Sequence, residues 1–278
     1  MKVIQAKSAG FCYGVQRAVE LAEQTARERG GCVMLGSIIH NAHVVQHLEQ
    51  LGAHQVAGPE EIRPGDTVLI RAHGEKKQVI GHLKDIGAEC VDATCPNVLR
   101  VQQIVAQADA EGRIPIIIGD PNHPEVMGVA SWSARSVVFE GAEALQRWLD
   151  EDPARRELPI TAVAQTTCIQ IIWDGAAEIL KKQCTNAKIF DTICNATHKR
   201  QSEAAELASQ VDVMVVVGDR KSANTKHLTE ICSRQCPAVY QIERAEELKR
   251  DFLTGCSVAG LTAGASTPAG IIKEVYTT

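Results

Sequence analysis

Three cysteines occupy positions in this 278-residue chain where chemistry is possible. Cys12 lies in Gly10-Phe11-Cys12-Tyr13-Gly14, Cys95 in Val91-Asp92-Ala93-Thr94-Cys95-Pro96, and Cys194 in Phe190-Asp191-Thr192-Ile193-Cys194-Asn195. Each follows a short apolar run and precedes a helical pattern, so each reads as the end of a strand at the start of a helix. A helix start carries partial positive charge that favours a thiolate, and the glycines at 10 and 14 let the backbone approach a ligand. One such cysteine alone is equally a small buried residue in a tight turn. Three in equivalent settings, dividing the chain into rough thirds, suggest a shared centre. In a reducing compartment, three converging thiolates suit a [4Fe–4S] cluster better than zinc, and they leave one iron open as a Lewis acid. The other seven cysteines, at 32, 90, 168, 184, 232, 236 and 256, form no C-x-x-C pair and read as structural.

A second set of polar residues follows apolar runs or opens helices. It comprises His40-Asn41, His73-Gly74, His123-Pro124-Glu125, Gln165-Thr166-Thr167, Ser222-Ala223-Asn224 and Ala265-Ser266-Thr267. Histidines, small hydroxyls and an amide at helix starts suit a phosphate, with backbone N–H groups adding donors. Taken singly, Ser222 and Asn224 could only cap a helix, and Glu125 could only complement a helix dipole. Neither G-x-x-x-x-G-K-[ST] nor a clear G-x-G-x-x-G occurs, which argues against a Walker or dinucleotide site.

These residues need a scaffold, and the apolar pattern describes one. Short buried runs such as Ile114–Ile118 and Val213–Val217 alternate with amphipathic stretches such as 15–29, 98–111, 169–183 and 199–210. A further helix is expected at 245–252. The alternation predicts parallel α/β sheets, whose ligands gather at the carboxyl ends of the strands. We expect three small α/β units around a common centre, at 14–95, 96–193, and 1–13 with 194–278. The net charge of −5 argues against a general nucleic-acid or anionic-membrane surface. The apolar runs are too short to span a bilayer and no signal peptide is visible, so a cytoplasmic protein is expected.

The joint pattern resembles the 4-hydroxy-3-methylbut-2-enyl diphosphate reductase (LytB) family. The matching stretches are Gly10 to Val15 with Arg17-Ala18, Ile39-His40-Asn41, Ala72-His73-Gly74, Asp92 to Pro96, His123 to Val126, Gln165-Thr166-Thr167, Ile193 to Thr197 with Arg200-Gln201, Ser222-Ala223-Asn224 and Thr262 to Ser266. The resemblance implies a pseudo-threefold trefoil of three α/β units around a [4Fe–4S] cluster held by Cys12, Cys95 and Cys194. It implies reductive dehydroxylation of an allylic diphosphate to isopentenyl and dimethylallyl diphosphates, the last step of the non-mevalonate isoprenoid pathway. It also implies Glu125 as proton donor with Thr166 and His123 in the relay. His40, His73, His123, Thr166, Ser222, Asn224 and Ser266 would contact the substrate, and ferredoxin or flavodoxin would be the external electron donor. Ala223 departs from the family, where a second serine is common. Other three-cysteine cluster enzymes on a similar trefoil, a non-catalytic iron–sulfur redox protein and a cluster-free phosphate-binding module are the rival readings.

Overall fold

A computed structural model describes residues 1–278. Twelve strands form three separate four-stranded sheets in which every pairing is parallel. The first sheet is ordered β3 (Ala53–Val56), β2 (Cys32–Leu35), β4 (Thr67–Ile70), β5 (Glu89–Asp92). The second is β7 (Val137–Phe139), β6 (Ile114–Ile118), β8 (Ile160–Ala164), β9 (Ala187–Ile189). The third is β1 (Lys2–Gln5), β12 (Val258–Ala263), β10 (Val213–Val217), β11 (Val239–Ile242). The N-terminal strand therefore lies beside the last one, with Val3 opposite Ala259.

The central strands of each sheet are buried on both faces. Val- and Met-rich β2 and β10 are buried at every position. Helices must then cover each sheet twice. The helices are α1 (Tyr13–Arg29), α2 (Ala42–Gln50), α3 (Lys77–Asp85), α4 (Pro96–Ala110), α5 (Pro124–Ala130), α6 (Ala142–Glu151), α7 (Gln170–Gln183), α8 (Asn195–Ala208), α9 (Ala223–Ser233) and α10 (Ala269–Thr277). Six apolar clusters result, two per sheet. In the second unit, for example, Ile116, Ile118 and Ala162 face Leu145 and Trp173, while Ile117 and Val163 face Val101 and Val126.

Two elements differ from the sequence pattern. The helix expected at 245–252 is a pair of short 3₁₀ turns, Ala245–Glu247 and Arg250–Leu253, in which Ala245 is the one buried side chain. With so little surface to bury, nothing holds a longer helix against the unit. The edge strand β3 escapes the pattern because its central His54 and Gln55 are exposed.

Candidate functional site

The cysteines are not the last residues of strands. Strands β1, β5 and β9 end at Gln5, Asp92 and Ile189, and Cys12, Cys95 and Cys194 are instead the N-caps of α1, α4 and α8. Side chains take over from the sheet ladder in between. The carboxylate of Asp92 accepts the N–H of Thr94 at 2.9 Å, and that of Asp191 accepts the N–H of Ile193 at 3.0 Å. Each cysteine N–H then donates to a carbonyl two residues beyond the end of the neighbouring strand. Cys12 donates to Ala265 (3.3 Å), Cys95 to Ala72 (2.9 Å) and Cys194 to Thr166 (3.0 Å), past β12, β4 and β8 respectively. This one device, repeated in three sheets, makes the cysteines equivalent and turns them toward one another.

All three line a single cavity of about 130 Å³, several times what one water needs (~10–15 Å³). All ten cysteines are free thiols. The first turns of the three helices point backbone N–H groups at the sulfurs. Val15 N–H lies 3.5 Å from Cys12 Sγ and Thr197 N–H 3.4 Å from Cys194 Sγ, with Thr197 Oγ1 at 3.1 Å from the latter. Burial raises the Cys95 thiol above its ordinary range, the N–H groups of Asn97 and Val98 oppose this, and the nearby sulfurs of Cys12 and Cys194 add to it. The approach is close enough to demand glycine: a Cβ on Gly14 would stand 2.5 Å from Cys95 Sγ. Gly10, at φ +103°, supplies the left-handed turn that leads into Cys12. Three thiols gathered at three helix N-termini fit an iron–sulfur cluster as donors, with backbone N–H groups ready for the sulfurs.

The same cavity is lined by a polar ring built by a second repeat. His40, His123 and Ser222 each lie five residues beyond the end of a central strand, β2, β6 and β10. His123 and Ser222 are N-caps, of α5 and α9, and His40 directly precedes the N-cap Asn41 of α2. His73 and Ser266 lie three residues beyond β4 and β12. The rings of His40 and His73 are centred 4.6 Å apart, and His123 stands 5.9 and 5.3 Å from them. Burial is the main cause holding all three imidazoles below the ordinary histidine range, His123 at about 4, so they are neutral near pH 7. Positive charge from Arg71 pushes each in the same direction.

The ring is built with donors it does not use. His40 Nε2, His73 Nδ1, Asn224 Nδ2 and Ser266 Oγ are all buried without a hydrogen-bond partner, and all four residues line the cavity. Each buried polar group left unpaired costs roughly 1–3 kcal/mol, so the ring is poised for a ligand rich in acceptors. The imidazole nitrogens lie within 4.8 Å of one another and could alternatively hold a cation. The amide and hydroxyl donors around them favour an oxyanion.

Glu125, 2 % exposed, lines the same cavity. Its two carboxylate oxygens accept the Thr166 N–H at 2.6 Å and the Thr166 hydroxyl at 2.7 Å. Burial raises its pKa, with the two Thr166 bonds opposing, which is the direction a proton donor needs. His123 Nδ1 accepts the Glu125 N–H at 3.1 Å. In the neutral ring the proton is then on Nε2, which becomes a donor. Ser222 does cap its helix, accepting the Thr225 N–H at 3.3 Å, and lines the cavity as well.

Sequence reasoning assigned no role to three residues here. His227 holds the Thr167 carbonyl at 2.6 Å through Nδ1, and the position is a half-buried one on α9 that helical periodicity alone could have marked. Thr197 contacts Cys194 by the i, i+3 spacing of an N-cap. Arg200 lies on the cavity wall although it carries a full charge.

With this geometry in place, comparison with known proteins is specific. The LytB protein family profile matches residues 3–278. A 4-hydroxy-3-methylbut-2-enyl diphosphate reductase of Caldanaerobacter subterraneus subsp. tengcongensis is 40 % identical over 280 residues, covering 99 % of this chain and 95 % of the relative. The reductase of the same name from Nitratiruptor sp. is 38 % identical over 276 residues, covering 99 % and 97 %. A solved (E)-4-hydroxy-3-methyl-but-2-enyl diphosphate reductase, described as the terminal enzyme of the non-mevalonate pathway, superposes with TM-score 0.70 at 37 % identity, covering 100 % and 98 %. The E-1-hydroxy-2-methyl-but-2-enyl-4-diphosphate reductase of Plasmodium falciparum superposes with TM-score 0.93 at 25 % identity, covering 99 % and 87 %. The trefoil of three parallel α/β units is shared with these reductases, and the chain belongs to the LytB protein family.

Proposed function

We propose that the protein reduces (E)-4-hydroxy-3-methylbut-2-enyl diphosphate to isopentenyl and dimethylallyl diphosphates by removing its hydroxyl, the last step of the non-mevalonate isoprenoid pathway. One observation carries the reading: a single cavity joins three free thiols, a buried carboxyl group and a ring of unsatisfied donors. The relatives' names point to the same substrate. The overall change is R–OH + 2 e⁻ + 2 H⁺ → R–H + H₂O, so the site must bind an anion, deliver protons and accept electrons.

Cys12, Cys95 and Cys194 would hold a [4Fe–4S] cluster with one iron lacking a protein ligand. Such a cluster supplies the electrons and a Lewis-acidic iron that polarises the C–O bond. His40, His73, Ser222, Asn224 and Ser266 hold the diphosphate, satisfying the buried donors left open in the ring. That binding energy is spent far from the bond that breaks and fixes the position of the carbon that reacts. Protonated Glu125 donates a proton through the Thr166 hydroxyl, to which it is bonded at 2.7 Å. His123, with Nδ1 occupied by the Glu125 N–H, presents Nε2–H to the substrate. At Ala223, the first residue of α9, the backbone N–H is the donor left where relatives often carry a hydroxyl. Electrons enter from an external reduced carrier such as ferredoxin or flavodoxin. We read 14–95, 96–193, and 1–13 with 194–278 as the three units, so that Cys95 closes the first and Cys12 and Cys194 lie at the boundaries of the third.

The test is anaerobic reconstitution followed by reductant-driven turnover of the hydroxylated diphosphate. Formation of the two isoprenyl diphosphates is expected. Reconstituted protein that carries iron and sulfide yet leaves this substrate intact under a strong reductant would refute the assignment.

A further inference from the structure

Arg200 is the only lysine or arginine on the cavity wall, and it is 4 % exposed. A guanidinium that far from water ordinarily has a carboxylate beside it. This one makes no ion pair. Its Nη2 donates to the Gly10 carbonyl at 2.5 Å and its Nη1 to the Ala196 carbonyl at 3.3 Å, while Nε is buried with no partner. The carboxylate of Glu203, one turn on, is already engaged by the N–H groups of Lys7 and Ser8 and by the Ser8 hydroxyl. Cys12 and Cys194, and after them Glu203 at longer range, favour its charged form, against the burial that lowers its pKa.

The position is specific as well as electrostatic. Gly10 lies two residues before Cys12, and Ala196 two residues after Cys194. One side chain therefore fastens the turn that carries the first thiolate to the helix start that carries the third. These two cysteines lie far apart in sequence, at 12 and 194, and no other side chain donates to both segments.

We propose that Arg200 is the built-in counter-charge and positioning residue of the three-thiolate site. The proposal rests on the cluster reading above. A [4Fe–4S] core with three thiolates is net anionic and becomes more so on reduction, so a fixed buried cation beside two of its ligands raises the reduction potential. It also holds Cys12 at the geometry its partners require. Without the cluster, the same arginine is a buried charge with no direct ion pair, which costs the empty fold stability. The opposite signs of those two effects set this role apart from an ordinary structural one.

The experiment compares wild type, Arg200→Lys and Arg200→Gln as anaerobically reconstituted protein and as apo protein. Iron and sulfide per chain, the midpoint potential of the cluster and the melting temperatures of both forms are measured. The glutamine variant should show a more negative potential, an apo melting temperature equal to or above wild type, and a smaller rise in melting temperature on loading. The lysine variant should return the potential toward wild type. Turnover of Arg200→Gln should fall with a weak reductant and recover with a stronger one. An unchanged potential in Arg200→Gln, or a lysine variant shifted as far as the glutamine one, overturns the proposal. Should Arg200→Gln fail to retain iron, a normal apo melting temperature together with a lysine variant that loads supports it; a lowered apo melting temperature overturns it. Wild-type protein that takes up no iron refutes the cluster reading itself, and this proposal with it.

Discussion

Acidification gives a direct probe of the histidine ring. His123 is 6 % exposed and held down to about pH 4, chiefly by burial and then by its neighbour His40. In the unfolded chain it titrates near ~6.5. A histidine whose folded pKa is depressed contributes stability that is complete above the unfolded value and is lost as pH falls through the folded one. The full shift corresponds to about 3 kcal/mol, and about 2 kcal/mol of it should be gone by pH 5. The comparison is between wild type and His123→Asn, because an asparagine oxygen can replace Nδ1 as the acceptor for the Glu125 N–H. Urea unfolding of the apo protein between pH 7.5 and 5 should show wild type losing about 2 kcal/mol more than the variant. His40 and His73, also depressed, contribute to both curves and cancel to first order. Parallel loss in the two proteins would mean that His123 is not a buried neutral imidazole, and its assignment as an Nε2–H donor would fall with it.

Other substitutions test other parts of the site. Glu125→Gln should keep the iron and lower turnover by about 10²–10⁴-fold, the usual contribution of a positioned general acid; a variant with wild-type turnover removes Glu125 from the proton path. Gly14→Ala, which puts a methyl group 2.5 Å from Cys95 Sγ, should reduce iron per chain after reconstitution while the other helix contacts persist, and full loading would contradict the close approach. Cys256→Ser and Cys32→Ser should leave iron content unchanged, since Cys32 packs in the core of the first unit and neither residue lines the cavity. Loss of iron in either would reopen the choice of ligands.

Much of this arrangement can be read in the residues, for definite reasons. The central strands are buried along nearly their whole length, so runs such as Ile114–Ile118 and Val213–Val217 stand out in any apolar count. Helix N-termini announce themselves through Ser222, through His123-Pro124 and through Asn41. What does not show is the connection between strand and cysteine. Thr192 bonds sideways to both the N–H and the carbonyl of Ala164, which extends the apparent strand beyond Ile189, and the sequence pattern merges it with the ladder. Similarly, Arg200 is legible as part of a family-like stretch but its role is not, because the carbonyl it holds comes from residue 10, far away in sequence. The orphaned donors of His40, His73, Asn224 and Ser266 are a property of three units meeting, and no local spacing encodes them.

The central claim is that Cys12, Cys95 and Cys194 hold a cluster with one iron left for the substrate. Mössbauer spectroscopy of the iron-enriched, anaerobically reconstituted protein, with and without the hydroxylated diphosphate, tests it most directly. The account predicts one iron in four with parameters distinct from the rest, and a change confined to that iron when substrate is added. Four equivalent irons that do not respond to the substrate would contradict it.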